Sequence, residues 1–426
     1  MPVVMKAILI ILFSCLTLNA FSDFYNYFEF KTLRLDYFRT GNFETEIISI
    51  DELIEEPHWG GSKTNLTDVF DYGNHKFEVY DLATEALIFS NTSSSLFSEW
   101  QTTAEAKETW RSFSETIVFP FPRQKVFIIF YTRNHQNEWI KKFDYNIDPN
   151  SIFISRERKA VYPVFQAHIS NDTWNALDVV FLPEGYKQSE MDKFRNDCLR
   201  FADYLLKATP FNDYTDRINI YGVLAPSKES GTDMPGKGEW RQTVMNSNFY
   251  TFGLERYLTT MDVKNVRNLA SNVPYDQIVI LVNSRVYGGG GIYNYYAITT
   301  TDHLRSDYVF IHELGHSFAG LGDEYYASEV AYEDYYNLDV EPWEPNLTTL
   351  VEFDRKWKDM LDPQTPVPTP DEKQYRKTVG VFEGGGYTAK GVYRPFYDCT
   401  MKQAGYDSFC PVCVRAIRRK IEFYTQ

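Results

Sequence analysis

The stretch Val309-Phe310-Ile311-His312-Glu313-Leu314-Gly315-His316-Ser317-Phe318-Ala319-Gly320-Leu321-Gly322-Asp323-Glu324 carries more chemistry than any other part of the chain. His312 and His316 stand four positions apart, which on an α-helix puts both imidazoles on one face, a turn apart. Imidazoles so placed are close enough to share one ion, and zinc accepts imidazole nitrogen readily. Glu313, one position after the first histidine, then sits beside the ion rather than on it, within reach of a water. Val309, Phe310, Ile311, Leu314 and Phe318 supply the apolar pattern that buries such a helix in a core. The bland alternative is a pair of hydrogen-bonded core histidines and a surface glutamate, and it leaves the residues that follow unexplained.

Those residues bear on the third ligand. No histidine occurs after His316, so a carboxylate is the next option. In the metzincin motif a glycine three residues after the second histidine breaks the helix, and the third ligand follows three residues later. Here Gly320 comes four residues after His316, and Asp323 follows three residues after Gly320. The break and the ligand have moved together by one residue. Asp323 is the expected third ligand and Glu324 the alternative; Glu333 and Asp334 are more remote candidates.

The rest of the chain sets the context. Its 426 residues exceed what one core usually accommodates and predict two domains. Hydrophobic residues make up 43% and aromatics 17%, enough to bury two cores. The formal net charge of -15 argues against nucleic acid as a partner, since a phosphate backbone would be repelled. Lys6, an apolar run over residues 7–18 and Leu18-Asn19-Ala20 form the three regions of an export signal, so residues 1–20 are expected to be a signal peptide. Leu12-Phe13-Ser14-Cys15 is a weaker fit to a lipoprotein cleavage site. No other segment is long and apolar enough to be a transmembrane segment. The expected location is secreted or at the cell surface. Sequons begin at Asn65, Asn91, Asn171 and Asn346. Cys399, Cys410 and Cys413 crowd together near the C-terminus, and in an exported protein they read as a local disulfide staple of open pairing. A redox dithiol or half a zinc knuckle is the other reading of the CPVC at 410–413; no second CxxC completes a knuckle.

Residues 21–155 are expected to form an all-β sandwich. Segments 115–119, 125–131 and 139–145 are short, β-branched and aromatic between polar turns, with a helix expected over 103–110. The domain boundary is placed within residues 148–165. From Leu177 onward, strands over 178–182, 218–224 and 277–283 alternate with a helix over 189–207 capped by Ser189, which marks an α/β (α+β) domain over 156–426. The glycine run 288–291 lacks the Lys-Ser/Thr of a phosphate loop. Residues 287–298 are the candidate sheet edge on which an extended peptide would pair, and a plain flexible loop is the equal alternative.

With these residues in view, the chain resembles the immunoglobulin A peptidase family of metzincin-like zinc metallopeptidases. The resemblance rests on residues 312–325, HELGHSFAGLGDEY, and on DVVFLPEGY at 178–186, DRIN at 216–219 and PSKESG at 226–231. FEGGGY at 382–387, GVYRP at 391–395 and DCTM at 398–401 extend it. Together these span most of residues 177–413; the β-rich region ahead of them is similar, more loosely, to the accessory domain of bacterial members. The resemblance implies a zincin-like fold, Zn2+ at His312 and His316 with a carboxylate third ligand, a catalytic Glu313, and Met401 as a methionine turn beneath the metal. It implies a polypeptide or glycoprotein substrate but no particular one. Tyr387, Tyr393 and Arg394 are weaker candidates for a second electrophile. Two competing functions remain open here: zinc-dependent hydrolysis of a non-peptide bond, and a surface glycan- or protein-binding module with a vestigial zinc site. An intact Glu313 argues against the second, because a purely structural site needs no base.

Overall fold

The computed structural model describes residues 24–172, 174–326, 336–405 and 408–426. The expected signal peptide at 1–20 and the remote candidates Glu333 and Asp334 lie outside the described residues. Among the described residues, no helix is long and apolar enough to cross a membrane.

The chain begins with two four-stranded sheets. One contains β1 (Phe28–Gly41), β2 (Glu46–Glu56), β5 (Arg111–Pro122) and the short β8 (Ile154–Ser155), in the order β5-β1-β2-β8. The other runs β4-β3-β6-β7, built from β3 (His75–Asp81), β4 (Leu87–Ser93), β6 (Val126–Arg133) and β7 (Trp139–Ile147). Leu33, Leu35, Ile117 and Phe119 from the first sheet meet Phe77, Val79, Ile128 and Phe130 from the second in one apolar core. Strands β3 and β6 alternate buried and half-buried residues, as expected where one face is packed. Two short helices, α1 (Leu96–Gln101) and α2 (Ala104–Glu108), stand between β4 and β5.

The second half is a mixed α/β unit. Its six-stranded sheet runs β13-β14-β12-β10-β11-β9, from β9 (Val164–His168), β10 (Leu177–Glu184), β11 (Ile218–Val223), β12 (Gln277–Val282), β13 (Gly289–Ile292) and β14 (Tyr296–Thr300). Strands β11, β10, β12 and β14 are parallel, and the two edges, β9 and β13, are antiparallel. Every residue of β10 and β12 is buried, because both faces of the sheet are covered. Val179 and Phe181 pack against α3 (Met191–Lys207), α5 (Ser306–Ala319) and α6 (Pro411–Thr425). Val180 and Leu182 point the other way, toward α4 (Val263–Ala270) and Trp100 of α1. Ser189 does not cap α3: it lies inside a 3-10 turn, Gln188–Glu190, that precedes the helix. A separate hairpin, β15 (Phe382–Gly385) and β16 (Thr388–Arg394), lies beyond the main sheet in sequence.

The two halves share buried polar contacts. Arg34, 1% exposed, pairs with Asp36 and Glu56 and donates to Asn268, while Tyr275 donates to Glu56 at 3.0 Å. The helices α1 and α2 and Phe113 join the core of the second half. The β-rich region is thus packed onto the α/β unit rather than hung from it.

Packing explains the glycine run. A Cβ at Gly291 would lie 2.3 Å from the carbonyl oxygen of Glu313, and one at Gly289 would meet Val309 at 2.6 Å. The absent side chains let α5 lie directly on β13, so the backbone that approaches is the chain's own. The far side of β13 is also partly paired, since Leu258 donates its N–H to Gly289 O and Gly289 donates to Arg256 O. Open pairing of a peptide along the whole edge is therefore not available.

At the start of β10, two buried carboxyls meet. Asp178 N–H donates to Asp276 Oδ2 at 2.8 Å, Asn219 donates to Asp178 Oδ1 at 2.8 Å, and Asp276 Oδ1 has no partner. Burial pushes the Asp178 carboxyl up to about 7 and Asp276 well above its ordinary value, the latter with help from Asp178. A carboxyl whose folded pKa exceeds its unfolded value binds more protons when folded, so stability falls as pH rises between the two values. Asp276→Asn keeps the acceptor and removes this penalty. Its melting temperature should exceed that of the wild type by a margin that widens from about pH 5 to about pH 8. A margin constant with pH would count against this account.

Candidate metal centre

Helix α5 places the histidines. Its cap, Gly320, is left-handed (φ 63°), a conformation that glycine adopts without strain, and the chain then turns back. Leu321 N–H donates to Gly315 O at 3.1 Å, and this turn carries Asp323 under the helix. His312 Nε2 lies 3.1 Å and His316 Nε2 3.3 Å from Asp323 Oδ1, and the two Nε2 atoms are 3.2 Å apart. Three potential ligand atoms thus form a nearly equilateral triangle. Asp323 Oδ1 is buried and has no hydrogen-bond partner among the described residues.

The other atom of each group is fixed. His312 Nδ1 faces Thr400 O at 3.0 Å, and His316 Nδ1 faces Leu321 O at 2.6 Å. A carbonyl only accepts, so each Nδ1 carries the proton and each Nε2 lone pair turns into the triangle. Tyr387 donates its hydroxyl to Asp323 Oδ2. Residues 323–325 are also held by backbone bonds, from Gly386 N to Asp323 O at 2.7 Å, from Tyr387 N to Tyr325 O at 2.9 Å, and from Glu324 N to Met401 O at 2.8 Å. Met401 is fully buried, and a Cβ on Gly315 would lie 2.7 Å from its sulfur, so Met401 packs against the helix between the two histidines.

Electrostatics favours a positive charge in the triangle. Burial pulls His316 down, but the adjacent Asp323 outweighs it and pushes the imidazole up to about 9. Asp323, although desolvated, is held well below the usual carboxylate range by the two imidazoles. Glu313 is half-buried beside them; burial raises its carboxyl, and the histidines pull in the other direction. A cleft of about 370 Å³ opens over the triangle. His312, Glu313, His316, Asp323 and Tyr387 line it, together with Arg256 and Tyr287, and Asn74, Ser94 and Glu99 reach it from the β-rich half.

Of the expected site residues, His312, Glu313, His316 and Asp323 come together. Glu324 does not join them: it turns away, accepts from Asn346 at 3.0 Å and faces Cys413. Tyr387 lines the cleft and holds Asp323. Arg394 is spent on the carbonyls of Glu383 and Gly384, and neither it nor Tyr393 lines the cleft. Tyr308 was missed. Its hydroxyl donates to Thr400 O at 3.1 Å and lies 3.3 Å from His312 Nδ1. Its place four residues before His312, on the same helix face, was the available signal. The expected disulfide staple is absent: Cys399, Cys410 and Cys413 are free thiols.

If Tyr387 orients the third ligand, Tyr387→Phe should weaken metal binding by ~10–100-fold, read by competition with a chelator. Unchanged affinity would mean that the backbone clamp alone positions Asp323.

Comparison with known families places both halves of the chain. The family model described as IgA Peptidase M64 matches residues 166–378 and 371–421, and that described as Peptidase M64 N-terminus matches residues 23–144. No curated protein gives a match. The triangle of side-chain atoms, its helix and its clamp all fall inside the first match and the β-rich half as far as β7 inside the second, so the chain belongs to the IgA peptidase M64 family and is a peptidase that acts on polypeptide.

Proposed function

We propose that the chain is an exported zinc-dependent endopeptidase with a zincin-like catalytic domain, in which His312, His316 and Asp323 hold the metal and Glu313 is the general base. The observation that carries this reading is the triangle. A tetrahedral zinc with nitrogen and oxygen ligands at ~2.0–2.1 Å needs donor atoms roughly 3.3 Å apart. The three separations here are 3.1, 3.2 and 3.3 Å, and among the described residues the buried Asp323 Oδ1 otherwise lacks a hydrogen-bond partner. Zinc bound there supplies Lewis acidity, lowering the pKa of a water toward ~7 and polarising a peptide carbonyl.

The protein's own groups do the rest. The carbonyls of Thr400 and Leu321 keep both imidazoles in one tautomer. Tyr387 fixes the Asp323 rotamer so that Oδ1 alone faces the histidines. Glu313, in the cleft wall beside the triangle, accepts a proton from the attacking water and returns it to the leaving amine nitrogen. Burial raises its carboxyl above its ordinary value, which makes it a stronger proton acceptor. The polypeptide lies in the cleft over the triangle, with β13, the segment 254–257 bonded to its edge and the β-rich half all forming parts of the wall.

The test is zinc content and casein cleavage by the purified chain beside Asp323→Ala. The wild type should cleave casein in a chelator-sensitive, zinc-restored manner, and Asp323→Ala should lose both the triangle's metal and the activity. A folded Asp323→Ala variant that keeps both would remove Asp323 from the ligand set. A wild-type chain that cleaves undiminished after complete metal removal would overturn the zinc mechanism.

A further inference from the structure

A second cluster of metal-ligand atoms lies on the other side of the Asp323–Glu324 pair. Cys399, Cys410, Cys413 and Glu324 are all buried, and their Sγ and carboxylate oxygen atoms lie within 4.8 Å of one another. Cys410 caps the start of α6, Pro411 takes the first turn, and Cys413 stands within that turn. Cys399 comes from the loop that leads into Met401.

The spacings decide between two fates for these thiols. A disulfide requires sulfurs ~2.05 Å apart. A tetrahedral zinc with sulfur at ~2.3 Å and oxygen at ~2.0 Å requires sulfurs about 3.8 Å apart and sulfur and oxygen about 3.5 Å apart. Cys399 Sγ is 3.9 Å from Cys413 Sγ, and Cys413 Sγ is 3.3 Å from Glu324 Oε1. Cys410 N–H donates to Cys399 Sγ at 3.2 Å, the kind of outer bond that supports a metal-bound thiolate. Glu324 is 0% exposed, and its Oε2 has no hydrogen-bond partner among the described residues. A buried carboxylate with an unsatisfied oxygen is costly unless a cation or donor meets it. Three thiols, moreover, cannot all be paired among themselves.

We propose that Cys399, Cys410, Cys413 and Glu324 bind a second, structural zinc ion, separate from the one at His312, His316 and Asp323. Four protein ligands close the coordination shell, so this ion has no open position for a substrate. Its place in the fold gives it a role. Glu324 adjoins Asp323 in the chain, and Cys399 adjoins Thr400, whose carbonyl accepts from His312. An ion that ties Glu324 to Cys399 and to α6 therefore braces both sides of the first triangle. Binding at the cysteines does not depend on the peptidase mechanism; only the consequence for activity rests on it.

The test uses the purified full chain, its metal content measured by mass spectrometry, and cobalt(II) as a spectroscopic substitute for zinc. The wild type should hold about two zinc per chain, and His316→Ala and Cys413→Ser about one each. Cobalt-loaded His316→Ala should keep the near-ultraviolet thiolate-to-cobalt absorption, and Cys413→Ser should lose it. Should Cys413→Ser fail to fold, the cobalt spectrum of His316→Ala decides alone: the thiolate band supports the site and its absence overturns it. Alkylation of the metal-stripped, denatured chain gives an independent reading, in which Cys198, Cys399, Cys410 and Cys413 should all react as free thiols. A disulfide among the three clustered cysteines, together with a single zinc in the wild type, would overturn the proposal. Loss of peptidase activity in Cys413→Ser with the histidine-site zinc retained would locate the effect in the bracing rather than in the first metal.

Discussion

Glu313→Gln should lower kcat/KM for peptide cleavage by ~10²–10⁴-fold and leave the zinc content at the wild-type level. The substitution preserves size and one acceptor oxygen and removes the capacity to take a proton. Glu313 is well placed for such a specific effect, because it lines the cleft beside the triangle yet contributes no atom to it. The environment that raises its carboxyl pKa is chiefly burial, so the change also removes a desolvated charge, and the folded state should not suffer. Three outcomes are distinguishable. Activity lost with zinc retained assigns the base. Activity and zinc lost together would mean that Glu313 supports the ligands. Activity retained within a factor of ~10 would mean that another group accepts the proton, and the general-base role would be withdrawn.

How much of this could be read from the chain follows from what each feature is made of. The histidines and Asp323 were legible because side chains carry them, at a spacing that only a helix and a left-handed glycine turn can bring together. The atoms that orient them were not: Thr400 O and Leu321 O are backbone carbonyls, which every residue possesses. Strand β1 escaped notice for another reason. Arg34, Asp36 and Arg39 break its apolar alternation, yet all three are buried in ion pairs with partners on β1, β2 and β5. The disulfide expectation fails because cysteine spacing alone cannot tell a staple from a ligand set; the deciding residue, Glu324, lies 75 positions before Cys399 and directly follows Asp323 of the other cluster. The glycine run was ambiguous because glycine has little strand propensity, and its use as a seat for α5 appears only when the helix is in place.

That seat gives the second large effect. Gly291→Ala should destabilise the chain by ~1–3 kcal/mol and reduce kcat/KM by an order of ~10²-fold, although Gly291 carries no side chain to act on a substrate. The added methyl would fall 2.3 Å from Glu313 O and 2.8 Å from His316 Cβ. Neither neighbour can swing aside as a flexible side chain would, since one is backbone and the other is the first side-chain carbon. The helix must shift or the strand must bend, and a displacement near 1 Å at a reacting centre is enough to cost about 10²-fold. Gly290→Ala supplies the contrast. Its Cβ would point to the opposite face, 2.6 Å from Leu258 O, and so press on a loop instead of on α5. Both variants should lose stability, but Gly291→Ala should lose far more activity at a temperature where both are folded. Equal losses of activity would show that the damage travels through general instability. Wild-type activity in a folded Gly291→Ala chain would show that α5 does not depend on the glycines for its position.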